Sequence, residues 1–326
     1  MEACHSPHQS NVTSYGATAL AIITLEAFAG VWINAFIVCV LGIGWVKKKT
    51  LNSNEKILLL LGCSRISFLC FSWIYSFLYI IYHNYLLVHT ILQLITSFQN
   101  FFNYSNLWIS ACLCVFYCIK IANFRNSFFI YLKAKIDKMV PWLLLGSGVL
   151  AFAMGIITYD ITDTMQKNIV NEIMQNNSLN VTCPGNFWDA NIRMDKHFFS
   201  YFFLTSFGYA ASFMAVMLSA VFLLFSLWRH KCKMQTNSMK DLSMEAHIRA
   251  MKSILAFLVI YSMNFVGFTL TIIYVMKNEK IIPLLLSICL HAFPGVHSVV
   301  LIFSNPKLEK ALLKILSCVK YEFCIM

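Results

Sequence analysis

The stretch SACLCVFYCIKIANFRNSFFIYLKAKIDK, residues 110–138, begins as an apolar helix and turns basic at Lys120, with no acidic residue until Asp137. An apolar helix that ends in a basic amphipathic tail is where a membrane span meets an anionic lipid surface. Phe124, Phe128, Phe129, Tyr131 and Leu132 can lie on acyl chains while Arg125, Lys133, Lys135 and Lys138 reach phosphates. The same segment also suits docking by a cytosolic partner, and the two uses are compatible.

The rest of the chain agrees with a lipid solvent. Of 326 residues, 59% are hydrophobic and only 12% charged, too few polar groups to cover a soluble protein of this length. A bilayer core takes about 20 apolar residues per helix. Seven such segments are expected, at residues 17–46, 56–82, 92–121, 140–159, 197–228, 253–276 and 281–304. The fold class is thus an all-α membrane protein, a seven-transmembrane helix bundle. We expect one seven-transmembrane domain over residues 1–326, with an outer tail at 1–16, the bundle at 17–304, a second outer loop at 160–196 and a cytosolic tail at 305–326. The polar first 16 residues lack Lys and Arg and precede too long an apolar run for a cleaved signal peptide.

Charge placement sets the orientation. Of the 25 Lys and Arg residues, only Lys167, Arg193, Lys196, Lys277 and Lys280 follow the second, fourth and sixth segments, and Arg65 lies inside the second. The other nineteen flank the opposite ends. The positive-inside rule therefore puts the N-terminus outside and the C-terminus in the cytosol, the latter expected as a short amphipathic helix. The net charge of +11 follows topology, so nucleic-acid binding is not expected. Sequons at Asn176 and Asn180 in the long outer loop, and at Asn11 in the outer tail, fall on the face that charge assigns to the exterior. The match at Asn103 lies within a span and should stay bare.

Most of the twelve cysteines lie in helices, as packing residues. Cys4 and Cys183 are the outer two, and the sequence leaves open whether they pair. Cys318 and Cys324, on the basic tail, suit palmitoylation. No His or Cys pattern with ligand spacing appears, so neither a metal nor another cofactor is expected. The absence of a nucleophile constellation or phosphate-binding loop argues against an enzyme.

Ionisable groups inside a bilayer cost roughly 2.5–3.5 kcal/mol each on insertion scales, so they usually have partners. Arg65 lies about ten residues into the second span, ~15 Å deep by helical rise. Asn34 in the first span is at similar depth, and His297 and Ser298 in the seventh are within an arginine's reach. We expect these four to form a polar cluster, acting either as a static strut or as a latch between two states. Glu26 lies two turns further out than Asn34, too far for an easy ion pair with Arg65.

In the third span Gln99, Asn103 and Asn106 follow i, i+4, i+7 and share one face. Lipid would exclude that face. With Asn100, with Tyr201 and Thr205 in the fifth span, Asn264 in the sixth, and Ser287 and His291 in the seventh, it is expected to line an outward-opening cavity for a small organic molecule. Phe98, Phe101, Phe102, Phe202 and Phe268 would supply apolar walls. Interhelical glue is the purely structural alternative.

The chain resembles the bitter taste receptor family, a group of seven-helix G-protein-coupled receptors. The resemblance rests on Ser64-Arg65 in LLLLGCSRISFL, on LWISACLCVFYCIKIANF, on SLWRHKCKMQ with His230, on DLSMEAHIRAMKSILAF, and on HSVVLIFSNPKLEKALLKIL. The rhodopsin-like signatures Asp-Arg-Tyr, Cys-Trp-x-Pro and Asn-Pro-x-x-Tyr are absent. The resemblance implies a multi-pass plasma-membrane chemoreceptor for small bitter molecules, acting through a heterotrimeric G protein of the gustducin and Gi class. Its G-protein face would then include Lys120, Arg125, His230, Lys231, His247 and Lys252, and Asn180 would carry the family glycan. Membrane lipids are the other partner, and receptor oligomers are left open.

Departures from the family pattern are Gln99 and Asn264 where rings are common, Ser212 in place of the helix-5 proline, and Leu242 in place of another proline. Two amides for two rings imply a ligand set shifted toward hydrogen-bonding molecules. A vomeronasal type 1 receptor is the near alternative. A small transporter or channel is the distant one, and would call for internal repeats and mid-membrane acidic pairs.

Overall fold

The computed structural model describes residues 8–81, 90–122, 126–176, 196–236, 241–277 and 281–323. These form helices α1 (His8–Lys48), α2 (Ser53–Ile81), α3 (Thr90–Ile121), α4 (Ser127–Asn176), α5 (Lys196–Thr236), α6 (Asp241–Met276), α7 (Ile281–Ser304) and α8 (Pro306–Phe323). Seven of them are long and apolar enough to cross a membrane. Helices are the expected solution, because hydrocarbon offers no partner to a free backbone N–H or C=O.

Hydropathy located the apolar windows well and the helix ends poorly. The segment expected as an outer loop from 160 is helical to Asn176, and the expected outer tail is helical from His8. The basic segment after the third span belongs to the same helix as the fourth, running through Pro141. Backbone bonding continues past the lipid boundary wherever the sequence tolerates a helix, whereas hydropathy reports only the lipid-facing part. Pro141 has no N–H to give the carbonyl four residues back. That carbonyl, of Asp137, lies 3.5 Å from the Ser53 hydroxyl, which donates to it and ties α2 to α4.

Helix α3 packs against α2, α4 and α5, while α7 packs between α1 and α6. The cytosolic half is closed by a cluster including Leu41, Leu58, Leu113, Phe116, Ile136 and Leu308. A second cluster, around Tyr104, Tyr209, Val216, Phe257 and Tyr261, joins α3, α5 and α6. Large side chains such as Trp32, Phe152, Phe207 and Phe222 point outward, as a bundle solvated by acyl chains allows. Backbones approach closely at one crossing that matters for the site. A Cβ on Gly295 of α7 would lie 3.5 Å from the Gly30 Cα of α1. That crossing brings Asn34, one turn below Gly30, against Ser298.

Candidate functional site: an amide-lined cavity above a buried arginine

Arg65 is 1% exposed, and its partners come from two helices. Nε donates to Asn106 Oδ1 at 3.0 Å, Nη1 to Ser298 Oγ at 2.6 Å and Nη2 to Ser110 Oγ at 3.4 Å. Nη2 also faces His297 Nδ1 at 2.5 Å. Ser298 Oγ lies 2.7 Å from Asn34 Oδ1 and 2.8 Å from the Pro294 carbonyl, so its single proton serves one at a time. Asn34 in turn donates to the Gly30 carbonyl at 2.8 Å. The expected group of Asn34, Arg65, His297 and Ser298 is brought together, with Asn34 joined to the arginine through Ser298. No carboxylate pairs with Arg65 among the described residues.

Over this cluster lies a cavity of about 310 Å³ between α2, α3, α5, α6 and α7. Of the residues expected to line it, Gln99, Asn100, Asn103, Asn264, Ser287 and His291 do so. Thr205 does not: it is buried, its carbonyl accepts from Tyr104 Oη at 3.2 Å, and its own hydroxyl has no partner among the described residues. The side chains of Tyr201 and Phe202 lie outside the described residues. Phe268 is a wall, stacked on Tyr209 with centroids 3.8 Å apart. Phe98, Phe101 and Phe102 are set back from it: Phe98 and Phe102 stack on Phe71, and Phe101 packs edge-on to Phe102.

A directed hydrogen-bond chain crosses the outer part of the cavity. His291 Nδ1 lies 2.7 Å from the Ser287 carbonyl, which only accepts, so Nδ1 carries the proton. Nε2 is then an acceptor, and the Ser72 hydroxyl donates to it. With its proton so used, Ser72 Oγ accepts from Gln99 Nε2 at 3.1 Å. Deeper, Asn103 Nδ2 donates to Tyr209 Oη at 2.6 Å. Tyr261 Oη is 3.3 Å from both the Leu107 carbonyl and Ser212 Oγ, so Ser212 ties α5 to α6.

Several of these residues are missing from the sequence reading. Ser110 continues the α3 stripe one turn past Asn106, so the periodicity that found the stripe could have found it. Ser72 lies seven residues after Arg65, on the same face of α2. Tyr209 and Tyr261 carry no such signal, since aromatic residues are common in every span.

At the opposite end, Lys120 pairs with Asp137 at 2.5 Å and Lys307 with Glu55 at 2.6 Å. Lys252 and Cys318 are exposed. His230, Lys231 and His247 lie on α5 and α6, and Asn11 and Asn176 on α1 and α4, without described side chains. Arg125, Asn180, Cys4, Cys183 and Cys324 fall outside the described residues.

Seven spans around a cavity lined with amides define a membrane helix bundle with an internal polar site. Comparison with known proteins gives the family. The profile of the taste receptor protein (TAS2R) family matches residues 12–320. Taste receptor type 2 member 9 of Homo sapiens is 31% identical over 311 residues, covering 93% of this chain and 95% of its own. The Papio hamadryas member 9 is 31% identical over 93% of this chain and 94% of its own. Member 7 of Macaca mulatta is 29% identical, with 92% of each chain covered. The chain belongs to the taste receptor type 2 family: it is a bitter taste receptor of the G-protein-coupled class, a multi-pass protein of the plasma membrane.

Proposed function

We propose that a small bitter agonist binds in the cavity bounded by Gln99, Asn100, Asn103, Asn264, Ser287 and His291, and that binding is transmitted through Asn106 to the Arg65 cluster. The observation that carries this reading is the position of Asn106, which borders the cavity and accepts from Arg65 Nε at 3.0 Å. An agonist that displaces α3 or competes for that amide changes the bonding of Arg65, and with it the join between α2, α3 and α7. Moving a receptor from 1% to 99% active takes about 5.5 kcal/mol of preferential binding to the active form. A few new hydrogen bonds and a buried ring are of that order.

The output partner in this reading is a heterotrimeric G protein of the gustducin and Gi class. It docks on a basic inner face that includes Lys120, Arg125, His230, Lys231, His247 and Lys252. The pair Lys120–Asp137 then has to open or be accommodated. Residues 1–326 act as one receptor domain, with glycans on Asn180, Asn176 or Asn11 and palmitoyl groups on Cys318 and Cys324 at the membrane surfaces.

The test is calcium flux in cells expressing the full chain with a promiscuous G protein, against a panel of bitter compounds. Responses that need the G protein and are reshaped by Gln99→Trp support the reading. Flux that persists without any G protein points to a channel instead. A Gln99→Trp receptor that reaches the surface with an unchanged response profile places the agonist elsewhere.

A further inference from the structure

The hydrogen bonds around Arg65 fix which atoms the cavity shows to a ligand. Arginine only donates. Asn106 must therefore turn its oxygen to Arg65 Nε, which leaves its Nδ2 donors with no bond among the described residues. His297 must likewise accept through Nδ1, which places the proton of the neutral ring on Nε2, a buried atom with no partner among the described residues. Arg65 itself uses one N–H at Nε, two at Nη2 and one at Nη1, which leaves a second Nη1 proton available. All three residues border the cavity.

The outer part has the opposite polarity. Asn100 Nδ2 donates to the Thr96 carbonyl at 3.2 Å, so its oxygen is the free end. Gln99 must donate to Ser72, because the Ser72 proton goes to His291, so its oxygen is free as well. Gln99 and Asn106 are seven residues apart on α3, ~10 Å by helical rise, about the length of a two-ring molecule.

Resting on the ligand-cavity reading above, we infer that this receptor selects molecules by polarity and charge. Its agonists are flat, neutral or anionic, with a carbonyl or carboxylate end seated on the Asn106 donors, next to the Arg65 charge, and a hydroxyl or N–H end at Gln99 and Asn100. Cationic amines are selected against. The cavity already holds the Arg65 charge, and among the described residues no carboxylate borders it. A second cation within ~8 Å at an effective dielectric near 20 loses more than 10-fold in affinity.

The probes are three molecules on one skeleton: 6-hydroxy-2-naphthoate, 6-hydroxy-2-naphthamide and 6-hydroxy-2-(aminomethyl)naphthalene, the last cationic at neutral pH. In the calcium assay the acid and the amide should activate with EC50 values at least about 10-fold below that of the amine. Asn106→Asp and Asn264→Asp, each checked for surface level, put a carboxylate at the floor or in the wall. Each should move the acid-to-amine ratio by about 10-fold toward the amine. An amine that outperforms both other probes, or no response to any of the three, overturns the inference. So does an acid-to-amine ratio that neither aspartate moves although Gln99→Trp reshapes the responses, and in that case the cavity reading survives. If all three variants reach the surface and alter nothing, the cavity reading itself falls.

Discussion

The floor and the rim of the cavity are built from the same chemistry, amide, serine and histidine, yet they are arranged for different ends. At the floor, one guanidinium engages Asn106, Ser110, His297 and Ser298 at once, and all but the half-buried Asn106 are buried. At the rim, Gln99, Ser72 and His291 form a single-file chain whose outer amide is only half-buried and keeps an oxygen in hand. A polar group bonded by several helices at once fixes their register even where, as at Asn106 Nδ2, a donor is left over. One that is satisfied once and left half open is free to recognise a ligand. What separates the two here is how many helices each polar group joins, not residue type.

The contrast can be broken most directly at Arg65. Arg65→Met removes the shared donor of four side chains, three of them buried. At about 1–3 kcal/mol for each buried acceptor left without a donor, several kcal/mol of stability should go. Flow cytometry of tagged receptor should show a drop in surface level of about 10-fold or more. An Arg65→Met receptor at normal surface level would show that the cluster is not a strut. Ser298→Ala is milder. It cuts the link from Arg65 to Asn34 and should cost about 1–3 kcal/mol, read as a lower Tm of the detergent-purified protein.

The rim should behave differently. Gln99→Trp fills part of the cavity and cuts the bond to Ser72. It should shift agonist EC50 values by about 10-fold in one direction or the other, while stability changes by less than about 1 kcal/mol. If its thermal unfolding instead falls as far as that of Ser298→Ala, the rim is structural after all and the contrast fails. The smallest effect is expected at the inner surface. Lys307→Ala breaks a half-exposed pair with Glu55 and should cost about 0.2–1 kcal/mol, less at high salt. Altered basal signalling in that variant would make this α2–α8 contact part of the switch.

How much of this was legible beforehand varies by level. The seven apolar windows and the grouping of Asn34, Arg65, His297 and Ser298 could be read from depth along each span. Both follow from the cost of placing polar groups in hydrocarbon. The α3 stripe could be read from the helical period. The departures have equally physical causes. Helix ends extend past hydropathy windows because backbone bonding outlasts the apolar run. Thr205 shares a depth with the cavity residues but packs against α3, because rotation of α5 about its own axis is set by Tyr104 and Tyr209, which no periodicity in α5 announces.

The sequence by itself determined the solvent, the threading and the depth of each polar side chain, since those follow from hydropathy, charge asymmetry and a fixed rise per residue. Only the tertiary structure decided which atom each polar side chain offers. The turn of the Asn106 amide and the proton position on His297 depend on an arginine of another helix lying within 3.0 Å and 2.5 Å of them, a matter of interhelical rotation and register. Donor and acceptor assignments are properties of pairs, and the pairs form only when the helices pack.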